Sequence, residues 1–390
     1  MQTNSEVSVL TGNLEAVSTA RPLMPFSDEV ISFLDDLSKI LITKKEFPDV
    51  VTFGFWIRRA NLLKEKEAYE DIAERLGRGV AFHIAPSNVP LNFAFTLAMG
   101  LLAGNANIVR LPGKEFLQVE IIAAAINTLT ANSHKNMLPY VCFVKYPAES
   151  GGTAKLSHMC DVRVIWGGDK TISDIRRATL PPRATEITFA DRYSIALINS
   201  EEYLQADNKP LIAQKFYNDT YLSDQNACSS PFVVFWTGDN KDEASNIFWE
   251  NLRETAQAKY PLSAVQAVGK LSAKYMTAAL IECIPCENSD NYVTMIQVNE
   301  VAAELPKLRY HSGFFYQCYI NEFADMLPIC GNKLQTLVYY GISAEEIRQF
   351  VLESGVRGID RIVPIGKSMD FALVWDGHDM IREMSRRIVL

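Results

Sequence analysis

Cys228 sits in DQNACSSP, residues 224–231, a run of small and polar residues between a helix-like stretch at 211–220 and the β-prone run PFVVFW. A thiol held at such a turn is accessible, and its thiolate is a nucleophile suited to acyl transfer. Asp224, Gln225 and Ser229 flank it. They are placed to orient the nucleophile or its substrate, although small polar residues are also what any tight turn selects. The other cysteines, at 142, 160, 283, 286, 318 and 330, lie mostly in apolar contexts and read as reduced thiols rather than a disulfide framework. The CIPC pair at 283–286 has no second pair and no nearby histidines, so two ordinary thiols explain it better than zinc or a redox motif. His83 lies inside an apolar strand and reads as a satisfied core residue. His378, in WDGHD, reads as structural.

Three further patterns bear on chemistry. In PSNVP, 86–90, two prolines fix the backbone around Asn88 at the carboxyl end of a strand, where open α/β sheets bind ligands. A side-chain amide held there can donate to an oxyanion. The plainer reading is that Asn88 caps the helix that follows. Next, NIVRLPGK brings Arg110 and Lys114 to the same kind of sheet edge, where a dinucleotide's adenosine ribose and any 2′-phosphate would lie. Last, WGGDK, 166–170, ends a strand and opens a helix, so Gly167 and Gly168 permit close approach of pyrophosphate to the first-turn amides, with Asp169 as N-cap. A GxGxxG fingerprint is absent.

The elements that must carry these residues alternate. Residues 1–78 read as a helical arm. From 79 the chain runs strand (GVAFHIAP), buried helix (PLNFAFTLAMGLLAG), strand (NIVRLP), helix (FLQVEIIAAAINTL), strand (YVCFVKYP), strand (DVRVIWGG), helix (DKTISDIRRA) and the strand-like run EITFADRYSIALIN. This is the order of a doubly wound parallel sheet that binds a dinucleotide. The expected organisation is an α/β fold with an arm and cofactor domain at 1–205, a second α/β catalytic domain at 206–372 and a C-terminal helix at 373–390. Forty-eight per cent hydrophobic residues over 390 positions are enough for two cores. A net charge of −8 gives no electrostatic reason to expect nucleic acid or an anionic membrane. The longest apolar run is too short to span a bilayer and the N-terminus has no signal pattern, which points to a cytoplasmic protein.

PSNVP, GNANIVRLP (104–112), WGG and the cysteine turn follow the order and approximate spacing of the aldehyde dehydrogenase superfamily, over roughly 79–375. More narrowly, DQNACSSP, FADRYSIALI (189–198) and GIDRIVPIGKSMDFALVWDGHD resemble the LuxC-type acyl-CoA reductases. The resemblance implies Cys228 as nucleophile, Asn88 and the Cys228 amide as oxyanion hole, and Arg110 with Gly167 and Gly168 against the dinucleotide. Ordinary aldehyde oxidisers carry a glutamate base in the segment that here reads TFADRYS, with Phe189 near its place. Loss of that base favours keeping an acyl-cysteine intact until hydride arrives. The implied reaction is reduction of an acyl thioester, on CoA or on a protein, to an aldehyde. NADPH is the expected reductant, because Gly113 and Lys114 stand about where relatives that prefer NAD place an acidic residue; the register leaves NADH open. The resemblance also implies an acyl-protein synthetase partner and a homo-oligomer, with no metal. The alternatives are an NAD(P)-dependent aldehyde dehydrogenase, and a non-catalytic acyl-binding or scaffold subunit.

Overall fold

The computed structural model describes residues 7–86, 89–285 and 290–389. It divides into two compact units, one running to Ala190 and taken up again from Phe371, the other Asp191–Asp370.

The first unit is built on a six-stranded sheet in the order Ser8–Thr11, Val141–Lys145, Ala106–Arg110, Val80–Ile84, Val162–Trp166, Thr185–Phe189. All neighbours are parallel except the first pair. Taken in chain order, the five parallel strands stand 3-2-1-4-5, so the direction of winding reverses between Val80–Ile84 and Val162–Trp166, and their carboxyl ends flank the crevice where such sheets bind ligands. The first four of these strands in chain order are almost wholly buried and read as largely apolar runs because both faces are covered. Helix Asn92–Leu102 is buried at every position. Its Gly100 lets it sit close to the sheet: a Cβ there would lie 1.8 Å from Asn107 Oδ1.

That approach encloses a polar cluster. His83 is fully buried, with Nδ1 2.7 Å from Thr96 Oγ1 and Nε2 2.9 Å from Asn107 Oδ1. Because Asn107 Nδ2 donates to the Asn105 carbonyl, Oδ1 is the acceptor facing His83, so Nε2 carries the proton and Nδ1 accepts from Thr96. Burial pushes the imidazole down to about 4.

The C-terminal segment is not the helix expected for 373–390. Its helix is confined to Met380–Glu383, and Ser385–Arg387 pairs antiparallel with Arg75–Gly77. Arg75 and Arg78 donate to the Arg382 and Glu383 carbonyls, Asn105 Nδ2 donates to the Met384 carbonyl, and Met380, Ile381 and Met384 are buried. These bonds make the tail part of the first unit's core.

The second unit holds a seven-stranded sheet in the order Ile284–Pro285, Thr294–Val298, Phe314–Tyr319, Pro231–Thr237, Tyr193–Asn199, Leu334–Tyr340, Arg361–Pro364, parallel apart from its first pair. The break expected near 205 therefore falls at 190/191. The run EITFADRYSIALIN is two strands in two sheets, Thr185–Phe189 and Tyr193–Asn199, separated by three residues without a glycine or proline to mark the change. Helix Lys209–Thr220 is capped by the Asn208 side chain, which accepts from the Leu211 amide, and helix Ala264–Leu280 by a capping box of Ser263 and Gln266. No described helix is long and apolar enough to cross a membrane.

His83 supplies a pH test of the first core. An imidazole that stays neutral when folded contributes fully above about pH 6.5 and loses that contribution as pH falls towards 4, a span of about 3 kcal/mol. Urea unfolding at about pH 7 and about pH 5 should therefore show a loss roughly 2 kcal/mol larger in the wild type than in His83→Gln.

Candidate active site

Helix Lys209–Thr220 ends in a single 3₁₀ turn, Tyr221–Ser223, after which Asp224 (φ 51°) and Gln225 (φ 58°) are both left-handed. Two consecutive non-glycine residues in this region are costly unless their surroundings hold them. Here the surroundings do. The Gln225 amide donates to the Thr220 carbonyl (2.8 Å), and the Asp224 carbonyl accepts from the Ser312 amide (2.9 Å). The Gln225 side chain is buried and uses both ends: Nε2 donates to the Pro231 and Phe314 carbonyls (both 3.0 Å), and Oε1 accepts from the Gly313 and Phe314 amides (3.0 and 3.1 Å). The turn that carries Cys228 is thereby fastened to the segment entering strand Phe314–Tyr319. On its other side, Ser194 Oγ donates to the Cys228 carbonyl (2.6 Å) and accepts from the Thr336 amide (3.2 Å).

Because Tyr193–Asn199, Pro231–Thr237 and Phe314–Tyr319 are adjacent and parallel, the segments that lead into them share one edge of the sheet. They enclose a cavity of about 270 Å³ lined by Asp191, Arg192 and Tyr193 from the first, Gln225–Cys228, Ser230 and Phe232 from the second, and Arg309, Tyr310 and His311 from the third. Cys228 is half-buried on its wall and alone among the described cysteines lines it. Burial pushes the thiols of Cys142, Cys160 and Cys330 up to about 12 and that of Cys318 to about 11, which keeps all four protonated. Cys283 is also raised by burial; Cys286 lies outside the described residues.

Of the flanking residues, Gln225 is a clamp, and Asp224 accepts from the Tyr260 hydroxyl (2.7 Å). Ser229 is buried, with its hydroxyl 3.4 Å from Met369 Sδ. The same turn is tied to the loop of PIGKS, 364–368: Ser230 Oγ donates to the Asp219 carbonyl, and the Asp219 carboxylate accepts from the Gly366 and Ser368 amides and the Ser368 hydroxyl. Burial outweighs these three donors and raises the Asp219 carboxyl to about 6. Asp191 is a carboxylate on the cavity wall, but both its oxygens accept from Arg309 (2.8 and 3.0 Å). Phe189, near where aldehyde oxidisers carry a glutamate, is buried and stacked on Trp166 (3.7 Å between centroids) in the first unit.

In the first unit, the carboxyl edge of the sheet carries a second cavity, of about 470 Å³, lined by Arg110, Gly151, Thr153, Thr171 and Arg177 among others. Arg110 lies over the Tyr146 ring (4.7 Å). Lys114 does not line this cavity; its ammonium sits over Phe116. Gly168, rather than Asp169, occupies the cap position of helix Asp169–Ile175, and a Cβ there would meet open space. The Gly167 amide is already used, donating to the Phe189 carbonyl (3.1 Å), and a Cβ there would lie 3.1 Å from Thr171 Cγ2. Asn88 lies outside the described residues. Among the described residues no cluster of three or more His, Cys, Asp or Glu is placed to hold a metal ion. His378 Nδ1 faces the Glu383 carboxylate at 3.0 Å, a structural contact within the C-terminal segment.

The sequence profile of the acyl-CoA reductase (LuxC) family matches residues 16–387. The chain belongs to this family. It is 23% identical over 365 residues to the long-chain acyl-protein thioester reductase of Vibrio harveyi, covering 90% of this chain and 72% of that protein. Among solved structures it is similar to a lactaldehyde dehydrogenase (13% identity, TM-score 0.66, 95% of this chain and 88% of the other). It is also similar to aldehyde dehydrogenase 21 of Physcomitrella patens (11% identity, TM-score 0.65, 96% and 89%). The fold of this LuxC-family chain is thus that of the aldehyde dehydrogenases, as its motifs implied.

The sequence reading missed Tyr310 and His311. They lie more than eighty residues beyond the cysteine, and no local motif marks them; only the neighbour order of the sheet brings them to its cavity.

The Gln225 clamp can be tested alone. Gln225→Ala leaves two amides and two carbonyls without their side-chain partner and should cost about 3 kcal/mol in chemical denaturation, with activity falling as the cysteine turn loosens. A variant as stable as the wild type would show that the clamp does not hold the turn.

Proposed function

We propose that this protein reduces an acyl thioester to an aldehyde through an acyl-cysteine on Cys228. The observation that carries this reading is the cavity at the amino edge of the second sheet, with Cys228 on its wall and the other described thiols kept away from it and protonated. Membership of the LuxC family supports the thioester as substrate. Cys228 Sγ attacks the thioester carbonyl, the leaving thiol departs, and the acyl group is held as a thioester. Asn88 and the Cys228 amide are proposed as donors to the tetrahedral oxyanion in both halves of the reaction.

The first unit's winding order and its carboxyl-edge cavity fit a dinucleotide, with Arg110 and the open space at Gly168 as the proposed contacts. When bound, the dinucleotide supplies the hydride that converts the acyl carbon to the aldehyde level. NADPH is proposed over NADH because residues 113–114 offer a glycine and a lysine rather than a carboxylate; Arg110 is the better-placed cation. Phe189 in an aromatic stack and Asp191 bound by Arg309 leave neither residue as an activator of water, which favours reduction over oxidation of an aldehyde. A homo-oligomer is proposed from helix Ala264–Leu280, whose Val265, Val268, Tyr275 and Leu280 are exposed along its length; light scattering reads its order. The acyl donor is an acyl-CoA or an acyl-protein, handed over in the latter case by an acyl-protein synthetase, and the protein is proposed to act in the cytoplasm.

The test is reduced-nicotinamide consumption with acyl-CoAs of graded chain length, on wild type and Cys228→Ala. Thioester-dependent oxidation of NADPH that is lost in the variant is expected. No turnover with any acyl thioester, but reduction of NAD(P) by aldehydes, would replace this reading with an aldehyde dehydrogenase.

A further inference from the structure

His311 shares the wall of the Cys228 cavity, and the loop that carries it is fixed to the cysteine turn at three successive amides. Ser312 donates to the Asp224 carbonyl, and Gly313 and Phe314 donate to Gln225 Oε1. Two loops joined so closely keep their side chains in register with one another. Ser312 is itself left-handed (φ 62°), a conformation that the amide bond to Asp224 and the Lys270 ammonium on the Ser312 carbonyl (2.7 Å) hold in place.

His311 Nδ1 lies 2.8 Å from Ser312 Oγ, its hydrogen-bond partner. With Nδ1 donating to that oxygen, the neutral ring has its lone pair on Nε2. Close by, the Tyr260 hydroxyl donates to Asp224 Oδ1 and accepts from Gln266 Nε2. This is a nucleophile and a histidine on one cavity wall, with the ring of the histidine held through Nδ1 by Ser312.

We propose that His311 is the general base of the acylation step. This rests on the reading of Cys228 as the nucleophile of a thioester reductase. As Sγ bonds to the acyl carbon, the thiol proton passes to His311 Nε2, and the C–S bond to the leaving group breaks. His311 then gives that proton to the departing thiolate, so the thiol leaves protonated and the ring returns to neutral. After hydride transfer the C–Sγ bond breaks, aldehyde departs and Cys228 is left as thiolate. It takes up the one proton the overall reaction consumes from solvent.

The charges that face His311 are consistent with a base neutral at working pH. Burial lowers its pKa, Asp224 raises it, and the Lys270 ammonium lowers it. Lys270 is itself pushed down to about 8 by burial. Tyr310 stacks on the ring, and Asp191 and Arg309, across the same cavity, neutralise each other.

The experiment follows thiol release from an acyl-CoA without reductant, across pH, for wild type, His311→Asn and Ser312→Ala. Without a base, acylation depends on the thiol's own ionisation, and an ordinary thiol is only about 3% ionised at about pH 7. His311→Asn should be slowed about 30-fold there and recover to within a few-fold of wild type by about pH 9.5. A histidine that only packs would lower the rate equally at every pH. Ser312→Ala keeps the ring but removes the partner of Nδ1, so acylation at about pH 7 should also slow; it serves if His311→Asn does not fold. Wild-type pH profiles in both variants would overturn the role of His311. A wild type that releases no thiol from any thioester would overturn the reductase reading itself.

Discussion

The side chain of Gln225 holds the Cys228 turn of the second unit in place. One buried amide reaches the carbonyl at the head of strand Pro231–Thr237 and both polar atoms of Phe314. Its four hydrogen bonds replace the ladder contacts that a turn entering a sheet must give up, and they allow two left-handed residues in succession. Without that clamp, DQNACSSP would be an exposed loop and Cys228 one mobile thiol. With it, the turn and the loop of His311 form one rigid edge.

The cavities of the two sheets lie at opposite ends. In the first unit the cavity is at the carboxyl edge, where the winding reverses. In the second, the amino edge carries the cysteine, where the segments entering three parallel strands meet. The same burial that makes these sheets stable removes Cys142, Cys160, Cys318 and Cys330 from chemistry, since a thiolate in an apolar core is too costly to form. Placement thus sets the half-buried Cys228 apart from four buried thiols.

Much of this was legible in the chain. Alternating β-branched runs and long apolar helices announced the first parallel sheet and a second α/β domain, and the polar turn before PFVVFW marked Cys228 as a candidate. The unit boundary was not legible, because the three residues from Ala190 to Arg192 change sheets with no turn residue to signal it. The fate of the tail was not legible either: Ser385–Arg387 pairs with a strand some three hundred residues away, a contact no local pattern encodes. His311 was missed for the same reason, since its place beside Cys228 follows from strand order and not from spacing. Lys114 shows the converse, a cation at the expected point in sequence whose side chain turns to an aromatic ring.

The most direct test of the account is the mass of the protein after incubation with an acyl-CoA in the absence of reductant. A single added acyl group, mapped to the peptide containing Cys228 and discharged as aldehyde when NADPH is supplied, is the predicted result. An acyl group on another residue, or none on a protein that nonetheless consumes NADPH with the same substrate, would contradict it.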